Sequence, residues 1–200
     1  MQGRTTLDAI RAALMRSKCL DCPARLAMPL DLTSLTKVAD RLREGLVRHL
    51  GDPTDAQIRD GLIQRFEFTY ELSHRMLKRQ LELGAANPLE FDVADFHYLI
   101  RSGNEQGLLR SAWPAWRRFR ELRAKTSHTY DEAVAREVVT EFPAFLEEAA
   151  HLLVASLPEP LRAAVAAETI ACVMTAITTG KDRDQAVDAI DRLVSSMGIA

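Results

Sequence analysis

Residues 58–81 read IRDGLIQRFEFTYELSHRMLKRQL, and the spacing of their apolar side chains decides the fold. Ile58, Leu62, Phe66, Tyr70, Leu77 and Leu81 recur at steps of four or seven, which stacks them on one face of an α-helix. Just upstream, Thr54-Asp55-Ala56-Gln57 has the spacing of a capping box, in which a Thr hydroxyl and a Gln side chain satisfy free N–H groups of the first turn. Gly84 closes the helix. A second stripe, Gln64, Glu67, Glu71, His74 and Lys78, alternates steps of three and four and is polar throughout. Such a stripe is ordinarily a solvated, ion-paired face. The sharper alternative is that Arg65, Glu67, Glu71 and His74 face a bundle pocket or a partner protein. Glu71 and His74 resemble half of a di-iron helix motif, but no second Glu-x-x-His completes it, so no metal site is expected.

The same periodicity continues outward, and no stretch alternates as a half-buried strand would, so the expected class is all-α. Leu35, Val38, Leu42 and Leu46 mark a helix that stops at Gly51 before Asp52-Pro53. Downstream, Asp92 to Arg101 predicts a short helix carrying Val93, Phe96 and Ile100, ended by Gly103. Pro114 suits the first turn of a helix that points Trp116, Phe119 and Leu122 inward. Asp131 can cap a further helix through Val134, Val138 and Leu146 to about Val154, with Pro143 kinking or restarting it. Short loops between such helices favour an up-and-down antiparallel bundle. Flanking it are an N-terminal helix with Leu7, Ile10 and Leu14, and a C-terminal helical extension striped with Val187, Ile190, Leu193 and Val194. The expected division is 1–29, 30–157 and 158–200.

A chain of 200 residues, 47% hydrophobic and 27% charged, can bury one good-sized core. Its net charge of −2 makes no global case for nucleic acid or membrane, yet the charge is unevenly spread. Six basic residues from Arg110 to Lys125 face one acid, Glu121, whereas the chain beyond Tyr130 is acidic. Three cysteines, Cys19, Cys22 and Cys172, are an odd and sparse set that argues against a disulfide framework, and the two-residue gap of Cys19 and Cys22, which a redox or zinc half-site would have, has no second Cys or His pair to complete it. No signal-peptide pattern opens the chain, so a cytoplasmic setting is expected. The apolar run from Ala163 to Ile177 is too short to span a bilayer.

Two blocks carry a resemblance to a known family. The 58–81 helix, preceded by Leu30-Asp31-Leu32, resembles the signature helix and opening of nucleotidyltransferase-substrate-binding proteins of the HEPN superfamily. Far downstream, Arg123-Ala124-Lys125-Thr126-Ser127-His128-Thr129-Tyr130-Asp131 resembles their Arg-x4-His-x-Tyr block. The resemblance implies a four-helix HEPN core, usually a homodimer, that binds a minimal nucleotidyltransferase encoded beside it, with no cofactor. In toxin–antitoxin pairs of this kind the HEPN partner is a metal-independent endoribonuclease, silenced when the nucleotidyltransferase attaches AMP to the motif Tyr. Ala124 stands where members often carry a polar residue, commonly Asn, and His74 where an aromatic such as Trp is expected.

The chemistry of the motif fits that implication. Metal-free RNA cleavage needs a group that exchanges protons near neutral pH and a fixed positive charge on the phosphate, roles suited to His128 and Arg123. On a continuous helix, residues five apart point roughly 140° away from each other. A helix end near Thr126 or Ser127 would release His128 into a turn, and a two-fold dimer would bring both copies of the pair into one cleft. Arg117, Arg118, Arg120 and Lys125 would hold RNA electrostatically. Tyr130 would present its hydroxyl in the same turn, where an added AMP would block the cleft. The bland alternative is that Arg123 pairs with Asp131 or an acid on another helix, His128 donates to a helix-end carbonyl, and Tyr130 packs at an edge. A third reading makes the chain a structural, oligomeric helical adaptor.

Overall fold

In a computed structural model of the chain, residues 6–17, 30–128 and 131–167 are described. They belong to two compact units, Pro29–Ser156 and residues 1–28 with 157–200. Every regular element among the described residues is helical, so the all-α expectation holds.

In the larger unit, α2 (Thr33–Gly51) buries Leu35, Ala39, Leu42 and Leu46, the stripe that its sequence announces. After a short turn, α3 (Ala56–Gly84) follows, a helix about 43 Å long at 1.5 Å per residue. The two pack closely at Gly45: a Cβ there would come within 3.1 Å of Leu62 Cδ1 and 3.2 Å of Arg65 Cδ, so an alanine would require those side chains to give by a few tenths of an ångström.

The start of α3 differs from the expected capping box. Asp55, not Thr54, is the cap, its carboxylate accepting from the Gln57 and Ile58 N–H groups at 2.8 and 3.1 Å. Thr54 instead donates its hydroxyl to Asp52 at 2.7 Å. An ionised acceptor one residue later serves the same orphan donors more strongly than a hydroxyl would. The buried face also differs at its edge: Ile58 is half-buried, while Arg59 is buried and reaches Glu132 at 3.5 Å.

Beyond a 3-10 turn at Pro88–Phe91 comes α4 (Phe96–Glu105), capped by Asp95, which accepts from the Tyr98 N–H at 2.7 Å. The helix thus begins after Val93, which is exposed, and continues through Gly103 instead of ending there. Gly103 is needed for space: its missing Cβ would sit 2.7 Å from Leu77 Cδ1. Gly107, at φ 70°, supplies the left-handed residue that ends this segment.

α5 (Trp113–Lys125) carries Pro114 in its first turn and buries Trp116, Phe119 and Leu122, as its sequence predicts. A 3-10 turn, Thr126–His128, follows directly. α6 (Glu132–Val139) is capped by Asp131, which accepts from the Ala133 N–H at 2.8 Å and the Val134 N–H at 3.4 Å. Of the two outcomes expected at Pro143, a kink or a restart, the chain takes the restart: α6 stops, and α7 (Phe142–Ala155) begins with Pro143 in its first turn.

The core of this unit is aromatic. Phe66 of α3 stacks on Phe142 at 4.3 Å, and Phe145 meets it edge-on at 5.0 Å. Trp116 and Phe119 of α5 approach Phe145 at 6.1 and 5.2 Å. Offset and edge-on ring pairs of this kind contribute roughly 0.5–1.5 kcal/mol each beyond area burial, which ties α3, α5 and α7 together. In the smaller unit, α1 (Thr6–Ser17) buries Leu7, Ile10 and Leu14, and residues 159–167 are helical. The expected C-terminal stripe from Val187 to Val194 and all three cysteines lie outside the described residues.

Candidate functional site at the junction of α3 and α5

The end of α5 meets the polar side of α3, and four side chains there form one network. Arg123 Nη1 donates to Glu67 Oε1 at 3.0 Å and to Thr126 Oγ1 at 3.2 Å. Its Nε lies 3.5 Å from Glu71 Oε1, a charge contact rather than a hydrogen bond. The Thr126 hydroxyl sits 2.5 Å from Glu67 Oε1 and 2.7 Å from the Arg123 carbonyl, and Thr126 is buried. Two carboxylates on successive turns of α3 therefore clamp the guanidinium at the last turn of α5. Its side chain is 31% exposed, which leaves part of it open to a ligand.

Arg123 is thus paired with acids on another helix, not with Asp131. The turn after it is the one the spacing calls for. α5 ends at Lys125 and the backbone tightens through Thr126–His128, so the helical angle between Arg123 and His128 no longer applies. The side chain of His128, and Tyr130, lie outside the described residues.

Of the four α3 residues grouped as pocket or partner contacts, only Glu67 and Glu71 share a target. Arg65 turns to the other side, where Nη1 donates to the Arg41 carbonyl of α2 at 2.6 Å. His74 packs against Phe96 at 5.3 Å, and burial pushes its pKa below the ordinary imidazole value, so the ring is neutral at pH 7. The expectation of an aromatic residue at this position has a physical basis, since Phe96 also meets Trp113 at 5.8 Å. Nearby, burial pushes the Tyr70 phenol up to about 12, with Arg120 opposing the rise.

The basic residues of α5 are not a bare cationic strip. Arg117 pairs with Glu121 at 2.9 Å, Arg118 with Glu141, and Lys125 with Glu137 at 2.7 Å. They border a groove of ≈ 570 Å³ whose wall also includes Trp113 and Thr140. Arg120 instead lies 5.1 Å over the Phe96 ring, a cation–π contact. Each of those three ion pairs is exposed and open to exchange, because surface pairs contribute only ~0–1 kcal/mol and a phosphate can displace the carboxylate.

Thr126, Phe96 and Trp113 are functional-site neighbours that a reading of the chain did not single out. Thr126 lies inside the motif and could have been weighed, whereas nothing local marks Phe96 as the partner of His74 and Arg120. Among the described residues no cluster of three or more His, Cys, Asp or Glu could hold a metal ion, and no helix is long and apolar enough to cross a membrane.

Comparison with known proteins agrees with this architecture. Residues 30–157 match the family described as nucleotidyltransferase substrate binding protein like, and the chain belongs to that family. A relative from Haemophilus influenzae named "Probable ribonuclease HepT" is 41% identical over 95 residues, which cover 46% of this chain and 63% of the relative. A solved structure from Haemophilus influenzae, described as the fold of a substrate binding domain of a nucleotidyltransferase, is similar at 32% identity with a TM-score of 0.58. That match covers 63% of this chain and 98% of the solved one.

Proposed function

We propose that this chain is the helical, substrate-binding partner of a separate minimal nucleotidyltransferase, acting as a cytoplasmic homodimer in a toxin–antitoxin-like pair. The observation that carries the reading is the family match over 30–157 together with the clamped Arg123 in the motif block. A nucleotidyltransferase that modifies a residue of this block, Tyr130, needs the segment after α5 held at a fixed place. The Glu67–Arg123–Thr126 network anchors the α5 end of that segment, and the Asp131 cap anchors the other. Co-expression with the neighbouring reading frame should give a complex that elutes as one species in size exclusion; separate elution of the two chains rejects the reading.

A second reading is favoured by the 3-10 turn that follows Arg123: the dimer is itself a metal-independent endoribonuclease. In it, Arg123 neutralises the phosphate and His128 exchanges the proton, while Arg117, Arg118, Arg120 and Lys125 guide RNA. Tyr130 modified with AMP would place negative charge in the cleft and repel substrate. Purified protein should cleave RNA in EDTA, and His128→Ala should lower the rate by roughly 10²–10⁴-fold. Intact RNA with the unmodified parent protein rejects this reading and leaves the docking role standing.

A further inference from the structure

We infer that Arg59 is a second phosphate-binding guanidinium of the motif site, set to take a phosphodiester oxygen of RNA at the start of α6. The inference rests on the endoribonuclease reading above and adds a contact which that reading lacks. Arg59 is the fourth residue of α3 and lies seven positions before Phe66, which puts both on the inward line of the helix. Its side chain is 7% exposed, yet Nε has no hydrogen-bond partner and Nη1 reaches one acceptor, Glu132 Oε1, at 3.5 Å. That acceptor belongs more to another residue. The Glu132 side chain is 61% exposed, and the same oxygen takes a 2.6 Å bond from Arg136. Arg136, ahead of Arg59, holds the Glu132 carboxyl below the ordinary carboxylate range. No other carboxylate of the described residues lies within ion-pair distance of Arg59. Asp55 and Asp131, the caps of the two helices that meet here, are each bonded to helix N–H groups.

A buried guanidinium with a single long contact is destabilising. The cost of taking a charge out of water is offset only where good geometry and further hydrogen bonds satisfy its donors, and here a fork of five N–H groups has one acceptor at the limit of hydrogen-bonding distance. Its place in the helix adds to the cost, since the first turn carries the positive end of the helix dipole and disfavours a cation. An anion relieves both. The planar fork of arginine matches two phosphate oxygens at once, and it stays charged at any pH the protein meets. The anion enters when Glu132 moves fully onto Arg136, a bond it already makes.

The fold sets this residue beside the motif. Thr126, at one end of the motif segment, is bonded to Glu67 of α3, and Glu132, just past the other end, meets Arg59 of the same helix. Glu67 and Arg59 are eight residues apart, about 12 Å along the helix axis, so Arg123 and Arg59 stand at opposite ends of the segment. They differ in what they offer a phosphate. Arg123 has Glu67 at 3.0 Å and Glu71 at 3.5 Å, two carboxylates against one positive charge. Arg59 has one carboxylate, shared with Arg136. Arg59 therefore supplies the attraction that Glu67 and Glu71 take from Arg123. An AMP group on Tyr130 would present the same phosphate chemistry, and the experiment separates the two sources.

The test uses the full-length protein and a 2′-O-methyl RNA oligonucleotide, which lacks the attacking hydroxyl and reports binding without cleavage. Arg59→Met should weaken binding by about 10-fold or more and reduce the slope of log affinity against log salt by about 0.7, the value for one phosphate contact on a single strand. Arg59→Lys, which keeps the charge, should keep the slope, and Glu132→Gln, which removes the competing carboxylate, should tighten binding. Without RNA, Arg59→Met should melt at the parent's temperature or above it, because an apolar side chain of similar length replaces an ill-paired buried charge. An unchanged affinity and slope in Arg59→Met, an unchanged affinity in Glu132→Gln, or a parent that does not bind the oligonucleotide overturns the inference. So does an Arg59→Met protein that melts well below the parent and binds with the same slope, since Arg59 is then only a structural partner of Glu132. An effect confined to protein carrying AMP on Tyr130 overturns it too and assigns Arg59 to the adduct. Cleavage of unmodified RNA in EDTA is read separately: its absence beside Arg59-dependent binding sinks the nuclease reading and leaves the phosphate site standing.

Discussion

The two sets of ion pairs on α5 look alike in a list of distances and differ in what holds them. Arg123 is bound at 3.0 Å by Glu67, 56 positions earlier in the chain, with side chains 31% and 28% exposed and a buried Thr126 as third member. Arg117, less than two turns ahead on α5, is bound at 2.9 Å by Glu121 on its own helix, with exposures of 66% and 57%. The distances are nearly equal, but the first pair joins two helices in a partly dry place and the second decorates one helix in water. Distance alone therefore does not rank them. Desolvation does, because it raises both the strength of a satisfied network and the cost of breaking it.

The largest expected effect is at the first pair. Glu67→Leu removes the acceptor for Arg123 and Thr126 together, leaving a half-buried guanidinium short of a partner, and should lower unfolding free energy by about 2 kcal/mol in urea denaturation. A change below ~0.5 kcal/mol would place this network with the surface pairs. Next comes the anchor on the far side of the motif: Asp131→Ala should cost ~1 kcal/mol, while Asp131→Asn, which keeps the acceptor, should cost less. Equal losses would mean that charge, not capping, is the contribution.

Smaller still is the surface set. Arg117→Ala should move stability by at most ~0.5 kcal/mol. If the protein binds RNA, that same substitution should reduce the slope of log affinity against log salt by about one, since a displaced carboxylate frees the guanidinium for phosphate. An unchanged slope would remove Arg117 from the RNA path.

The smallest effect is set by pH. Burial lowers the pKa of His74 in the folded protein, so below about pH 6.5 the unfolded chain takes a proton that the native state refuses. Stability contributed by this group is complete above that pH and is lost as pH falls toward the depressed folded value. The thermal midpoint should drop on acidification through this window, and His74→Phe, which keeps the packing on Phe96, should flatten that drop. An identical pH profile in the variant would show that His74 is not the titrating group.

Much of the candidate site was readable in residue spacing, for reasons that are local. The helix break after Lys125 and the Asp131 cap depend on a few neighbouring residues, and the turn between them lies where the motif requires it. The stripe of Glu67 and Glu71 was visible, but not its target, because only packing of α3 against α5 brings Arg123 to it. Arg65 was grouped with these acids by proximity in sequence; two positions on a helix turn a side chain by roughly 200°, and it binds α2 instead. The helix start at Asp55 was missed by one residue because Thr and Asp are both good caps, and the competition is decided by which reaches the open N–H groups.

What this sequence determined by itself is the all-helical class, the inward set Leu62, Phe66, Tyr70, Trp116 and Phe119, and the break that separates Arg123 from the next helix. Those follow from helical periodicity and capping, which act over a few residues. Tertiary structure alone decided that Glu67 and Glu71 close on Arg123, that Gly45 and Gly103 exist for close approach, and that Phe68 is left in water. Each of these depends on where helices far apart in the chain come together, and short-range spacing carries no record of that.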